Sequence, residues 1–242
     1  MEDISYQGID QFKQGLRDLN LELSEGQIGM FLRYYELLVE WNKVMNLTAI
    51  TELPEVITKH FLDSLSLVKV TTPTKERLLD MGTGAGFPGI PLKIAFPDLK
   101  VVLIDSLNKR INFLEEVIRT LELKNIRALH GRAEDYGREK TMRESFDLCV
   151  SRAVAKLPTL SEYCLPYVRT GGYFIPYKSG DIKEELKGAV RAVNILGAEI
   201  ERTEDFRLPG TEIERTLIVI RKTKGTAVKY PRSAGKPSKE PL

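Results

Sequence analysis

The chain has 242 residues, 42% hydrophobic and 29% charged, with a net charge of +2, a balance ordinary for a globular protein long enough for one main domain and an appendage. Met1-Glu2-Asp3 lacks the basic and apolar regions of a secretory leader, and no apolar run reaches membrane-spanning length, so a cytoplasmic setting away from membranes is expected. The only histidines, His60 and His130, and the only cysteines, Cys149 and Cys164, show no ligand spacing; no metal is expected, and the cysteines read as buried reduced thiols.

Residues 1–70 read as a helical segment packed on the main domain. Ser24-Glu25-Gly26-Gln27 is a capping-box start, after which Ile28, Phe31, Tyr35, Leu38, Trp41 and Met45 form one apolar stripe. A third helix is expected to open at Pro54, with Ile57, Phe61, Leu65 and Val68 inward. His60, Asp63 and Ser64 share one helix face, where they are expected to brace this segment against the sheet domain, with a direct role toward RNA as the alternative.

Residues 71–222 change rhythm. Arg77–Met81, Val101–Asp105, Ile126–His130, Phe146–Ser151 and Tyr173–Pro176 are short and apolar enough for buried parallel strands. Helical stretches at 88–96, 107–122, 156–167 and 181–196 separate them, which makes a doubly wound α/β sheet. Ile200–Phe206 and Leu217–Ile220, joined through Leu208-Pro209-Gly210, suggest a closing antiparallel hairpin. Residues 223–242 form a basic tail; on composition alone its last 18 or so residues, rich in Gly, Pro, Ser and Lys, read as disordered, while the interleaved Tyr230 and Pro231 favour an ordered loop.

The stretch Leu78-Leu79-Asp80-Met81-Gly82-Thr83-Gly84-Ala85-Gly86-Phe87-Pro88-Gly89 joins the first strand to three alternating glycines. Gly82 and Gly84 let backbone approach a ligand closely. Asp80 adds a carboxylate where a cationic or hydroxyl-bearing ligand could sit. No Lys-Ser or Lys-Thr follows, which sets a P-loop aside, and Phe87 stands where a dinucleotide fingerprint wants glycine. That rival keeps one feature, Asp105, an acid about 20 residues on.

Ligands of open α/β sheets sit at the carboxyl ends of the strands. Strand two ends in Asp105, placed to accept hydrogen bonds from two ribose hydroxyls. After strand three, a backbone N–H beside Ala133 or Glu134 can meet adenine N1, and a carboxylate can accept from the adenine amino group. Acids after three successive strands suit S-adenosylmethionine, with its ribose, adenine and cationic end, and would repel phosphates. Strand four ends in Ser151-Arg152-Ala153-Val154 rather than the [ND]-P-P-[FY] of exocyclic-amine methylation, and neither cysteine is placed as a carbon-attacking nucleophile. What remains is an acceptor already nucleophilic, such as guanine N7, which needs no general base.

These residues resemble the glucose-inhibited division protein B family, the bacterial small-subunit ribosomal RNA guanine-N7 methyltransferases. The resemblance rests on residues 80–92, Trp41-Asn42 with Asn46-Leu47-Thr48, His60 with Asp63-Ser64, Ser151-Arg152-Ala153 and Lys229-Tyr230-Pro231-Arg232. It implies a class I S-adenosylmethionine-dependent methyltransferase, mostly parallel and seven-stranded with an antiparallel last strand. It also implies cofactor contacts at Gly82, Phe87, Ala133, Glu134, Arg152 and Asp105, and 16S ribosomal RNA, free or within a particle, as substrate. Lys229, Arg232 and Lys236 become phosphate contacts and Tyr230 a stacking ring. Arg152 is expected to meet donor or acceptor, or to pair with a neighbouring acid such as Asp80 or Glu134. A small-molecule methyltransferase with a helical lid and a non-catalytic cofactor-binding regulator stay open as alternatives.

Overall fold

The computed structural model describes residues 2–242, with side chains from residue 8 onward. Helices α1 (Glu2–Asp18) and α2 (Glu25–Met45) open the chain, and the Ser24 and Gln27 side chains cap α2 reciprocally. Ile28, Phe31 and Leu38 are buried, but Tyr34 rather than Tyr35 points inward, leaving Tyr35, Trp41 and Met45 half-buried. A period of 3.6 lets either tyrosine lie near the stripe's edge; Tyr34 takes the inner place among Phe61, Phe87 and Phe113, while Tyr35 stays half-buried with its hydroxyl on Thr51 O at 3.0 Å. The third helix begins as α3 (Leu53–Val56), widens into a π-helical stretch at Ile57–Leu62, and continues through α4 (Asp63–Leu65) and a 3-10 turn, Ser66–Lys69. Ile57, Phe61 and Leu65 are buried and Val68 half-buried.

The sheet contains β1 (Arg77–Met81), β2 (Lys100–Asp105), β3 (Ile126–His130), β4 (Phe146–Arg152), β5 (Val168–Lys178), β6 (Ala198–Arg207) and β7 (Glu214–Lys222). Their spatial order is β3-β2-β1-β4-β5-β7-β6, with β7 antiparallel to both neighbours and the first five strands parallel. The connecting helices are α5 (Gly89–Ala95), α6 (Asn108–Thr120), the short α7 (Ala133–Tyr136), α8 (Leu157–Cys164) and α9 (Lys183–Ile195), and α10 (Lys236–Lys239) follows the last strand. The fifth strand starts earlier than Tyr173 because Gly171, at φ +83°, kinks its exposed first half, and apolar content alone misses that part.

Strand alternation divides the core. Leu78 belongs to a cluster shared with Phe12, Phe31, Tyr34, Phe61 and Phe113, so the N-terminal helices and one sheet face bury a common core. Leu79 belongs to the opposite face with Cys149, Leu160, Cys164, Phe174 and Tyr230. Both cysteines are free and buried.

The composition-based reading of the tail as disordered is corrected. Tyr230 sits in that second core, and Arg232 pairs with the buried Glu162. Thr159 Oγ1 donates to the carbonyl of Pro237 at 3.1 Å. No helix among the described residues is long and apolar enough to cross a membrane.

Candidate active site

The glycine loop begins where β1 stops: the N–H groups of Gly82 and Thr83 donate to Ile104 O at 2.8 and 3.1 Å, tying the loop to β2. Gly82 and Gly84 have φ of +70° and +62°, the left-handed region that glycine enters without a Cβ penalty. A Cβ at Gly82 would lie 2.4 Å from Val154 Cγ2, whereas one at Gly84 would meet nothing within 4 Å. From above, the Tyr34 hydroxyl donates to Ala85 O.

Asp80 lies beneath the loop, and its expected role toward a ligand is corrected. Its Oδ2 accepts from Thr83 Oγ1 at 2.6 Å and Gly89 N at 2.8 Å, so it pins both ends of the loop. It is wholly buried, with no hydrogen-bond partner for Oδ1 among the described residues. Burial raises its pKa to about 6 against the pull of those donors. It lines neither of the two cavities described below.

A cavity of about 520 Å³ opens at the carboxyl ends of β1, β2 and β3, lined by Gly82, Asp105, Arg110, Ala133, Glu134 and Val154 among others. Gly82, Asp105, Ala133 and Glu134, expected to act together, converge here. Asp105 Oδ2 accepts from Gly84 N at 2.9 Å and from Arg110 Nη1 at 3.1 Å, and Oδ1 from Leu107 N at 2.9 Å. Gly84 therefore orients Asp105 through its amide and does not itself line the cavity. Glu134 is 5% exposed, and its Oε1 accepts from Gly235 N at 2.8 Å. Two nearly buried carboxylates and a wall with no Cβ at Gly82 fit a nucleoside with polar hydroxyl and amino edges.

Phe87 and Arg152 lie elsewhere. Arg152 lines a second cavity of about 620 Å³, with His60, Asp63, Lys156, Lys178 and Arg215 among its other walls. Its Nη1 donates to Asp63 Oδ2 at 2.8 Å and Lys59 O at 2.9 Å. Neither Asp80 nor Glu134 is its partner: Asp63 fills that role, buried and also bonded to Arg215 Nε at 3.2 Å. The guanidinium lies 5.3 Å from the Phe87 ring centroid, and His60 stacks on that ring at 4.5 Å. Burial, then the Arg152 charge, lowers the His60 pKa to about 3, so its ring is neutral at physiological pH. His60, Asp63 and Ser64 brace the helices on the sheet, the last receiving the Tyr177 hydroxyl on its carbonyl at 2.7 Å.

In the tail, Lys229 and Lys236 are exposed, but two expectations are corrected. Tyr230 is buried and presents no free stacking face. Arg232 donates from Nε and Nη2 to the Glu162 carboxylate, at 2.9 and 2.6 Å, and so is consumed inside the fold. Sequence reasoning misses Arg110, Val154, Arg215, Gly235 and Ser238. A cation five residues after Asp105 offers some signal for Arg110, and Val154 lies just past the end of β4; Arg215, Gly235 and Ser238 reach their sites only through the tertiary fold.

A sheet of this order, with a glycine loop after β1 and acids ending β2 and following β3, defines a protein of the class I S-adenosylmethionine-dependent methyltransferase fold. Similar solved structures include precorrin-6y C5,15-methyltransferase from Geobacter metallireducens GS-15, at TM-score 0.52 and 11% identity over 74% of this chain and 92% of that one. Another is the YcgJ protein of Bacillus subtilis, at TM-score 0.51 and 14% identity over 67% and 99%. The family model described as rRNA small subunit methyltransferase G (GidB) matches residues 27–216. The chain is 62% identical to ribosomal RNA small subunit methyltransferase G of Lachnoclostridium phytofermentans, over 96% of both proteins. It is 52% identical to the protein so named in Desulforamulus reducens, over 95% of this chain and 96% of that one. The chain belongs to the rRNA small subunit methyltransferase G family.

Proposed function

We propose that this protein transfers a methyl group from S-adenosylmethionine to N7 of a guanine in 16S ribosomal RNA, in the cytoplasm, with the RNA presented by a small-subunit particle. The observation that carries this reading is the pairing of the two cavities across one turn. Ala153, at φ +58°, and Val154 line both. The cavity on the Gly82 side carries the nearly buried acids. The other is lined by five cations, Lys59, Arg152, Lys156, Lys178 and Arg215, against two carboxylates, Asp63 and Glu185, which suits a polyanion.

When bound, S-adenosylmethionine supplies a methyl group activated by its sulfonium. Gly82 would admit its methionine end, Asp105 would accept from ribose hydroxyls, and Ala133 and Glu134 would read the base. Phe87 and Arg152 act from the acceptor side: the ring supports the guanidinium, and Asp63 fixes its plane. Lys156, exposed and without an ion-pair partner among the described residues, can meet a phosphate. Guanine N7 carries a lone pair and no proton, so these residues need only bind, orient and shield. Positioning alone can supply about 7–11 kcal/mol of a barrier.

Incubation of the purified protein with methyl-labelled donor and, separately, small ribosomal subunits, protein-free 16S RNA and a metabolite extract tests the substrate. The proposal expects label in the subunits first. Label confined to small molecules would overturn it.

A further inference from the structure

The segment after β7 does more than end the chain. It runs back along α8, held by Tyr230 in the core, by Arg232 on Glu162 and by Pro237 O on Thr159 Oγ1. Arg143 fastens its first part, donating to Tyr230 O at 2.7 Å and Thr226 O at 2.6 Å. These anchors bring Gly235 and Ser238 to the rim of the Gly82–Glu134 cavity, which both residues line beside Tyr163. The amide of Gly235 donates to Glu134 Oε1, the carboxylate that the loop after β3 offers to a ligand's base.

We infer that residues 233–239 form a wall of the methyl-donor site, closing over the base end of the bound nucleoside while Glu134 is shared between the Gly235 amide and the base's amino group. The inference rests on the donor-site reading above and adds residues that the glycine loop and strand ends do not supply. Its physical basis is the geometry of Glu134. A carboxylate has lone pairs enough for two donors at one oxygen pair, and the Gly235 N–H fixes its rotation before any ligand arrives. Gly235 has φ +81°, and a Cβ there would meet no atom within 4 Å. A substitution at this position therefore strains the turn without colliding with the core. Lys236 and Lys239 ride on the same wall and face solvent, so the segment that covers the base also presents charge outward.

The test is calorimetric titration of the full-length chain with S-adenosylmethionine and, separately, with adenosine. Gly235→Pro removes the N–H and forbids the left-handed turn. It should weaken both ligands by roughly tenfold or more and by the same factor, because the lost contact lies at the base end. Gly235→Ala, which keeps the N–H but strains the turn, should fall between wild type and Gly235→Pro. Hydrogen exchange of wild type should slow at 233–239 when adenosine is added. Unchanged affinity for both ligands in Gly235→Pro, with exchange showing the segment released, would overturn the inference while leaving the donor site standing. Loss for S-adenosylmethionine without loss for adenosine would also overturn it. A wild-type chain that binds no S-adenosylmethionine would overturn the donor-site reading and this inference together.

Discussion

Arg232→Ala separates two accounts of the basic tail. If Arg232 meets RNA phosphate, its loss weakens RNA binding and leaves the fold alone. The structure instead gives it a fully buried carboxylate: Glu162 receives Arg232 N at 2.7 Å, Nε at 2.9 and 3.0 Å and Nη2 at 2.6 Å. Breaking a buried pair by removing one partner costs roughly 3–5 kcal/mol, because the other charge is left without compensation. The Arg232 side chain is 18% exposed, so water reaches one edge and the lower end, about 3 kcal/mol, is expected. For a chain of this size that lowers Tm by roughly 6–12 °C. Urea denaturation gives the free energy and calorimetry the midpoint. The double variant Glu162→Leu/Arg232→Leu, which removes both charges, should recover much of the loss. Stability unchanged within about 0.5 kcal/mol, together with an RNA-binding salt slope reduced by about one, would refute the buried-anchor account and restore Arg232 to the RNA surface.

Asp80 makes stability pH-dependent. Its folded pKa, about 6, lies above its ordinary 3.8, so between those values the folded chain holds a proton that the unfolded chain has released. Stability should fall by about 2 kcal/mol as pH rises from 4 to 7, and Asp80→Asn should flatten that slope in urea titrations. Gly82→Ala should cost about 1–2 kcal/mol of stability from its left-handed backbone. It should also abolish measurable donor binding, since the new Cβ drives Val154 into the cavity; Gly84→Ala should show the strain with far less loss of affinity in the same titration. Lys229→Ala/Lys236→Ala should leave melting unchanged and reduce the salt slope of RNA binding by about 1.5.

Local physics was legible where it acts over short separations. The capping box at Ser24 and Gln27 and the alternation of Leu78 and Leu79 between two cores follow from spacing alone. So does the convergence of Gly82, Asp105, Ala133 and Glu134, because strand ends of a parallel sheet meet along one edge. Long-range pairing was not legible. Arg152 finds Asp63 and Arg232 finds Glu162 across the fold, and a basic residue in a Gly- and Pro-rich tail carries no local sign of a buried partner. Tyr34 rather than Tyr35 points inward because Phe61, Phe87 and Phe113 pack around its ring, contacts made across the fold. The π-helical stretch at Ile57–Leu62, which carries His60 toward Phe87, has no counterpart in apolar spacing.

The central claim is the atom that is methylated. Small subunits labelled by the purified protein should be digested to nucleosides and separated against methylguanosine standards, with aniline-induced strand scission run in parallel on the intact RNA. The account predicts that the label elutes as N7-methylguanosine and that scission occurs at a single guanine of 16S RNA. Label in any N1-, N2- or carbon-methylated nucleoside, with no scission, would contradict it.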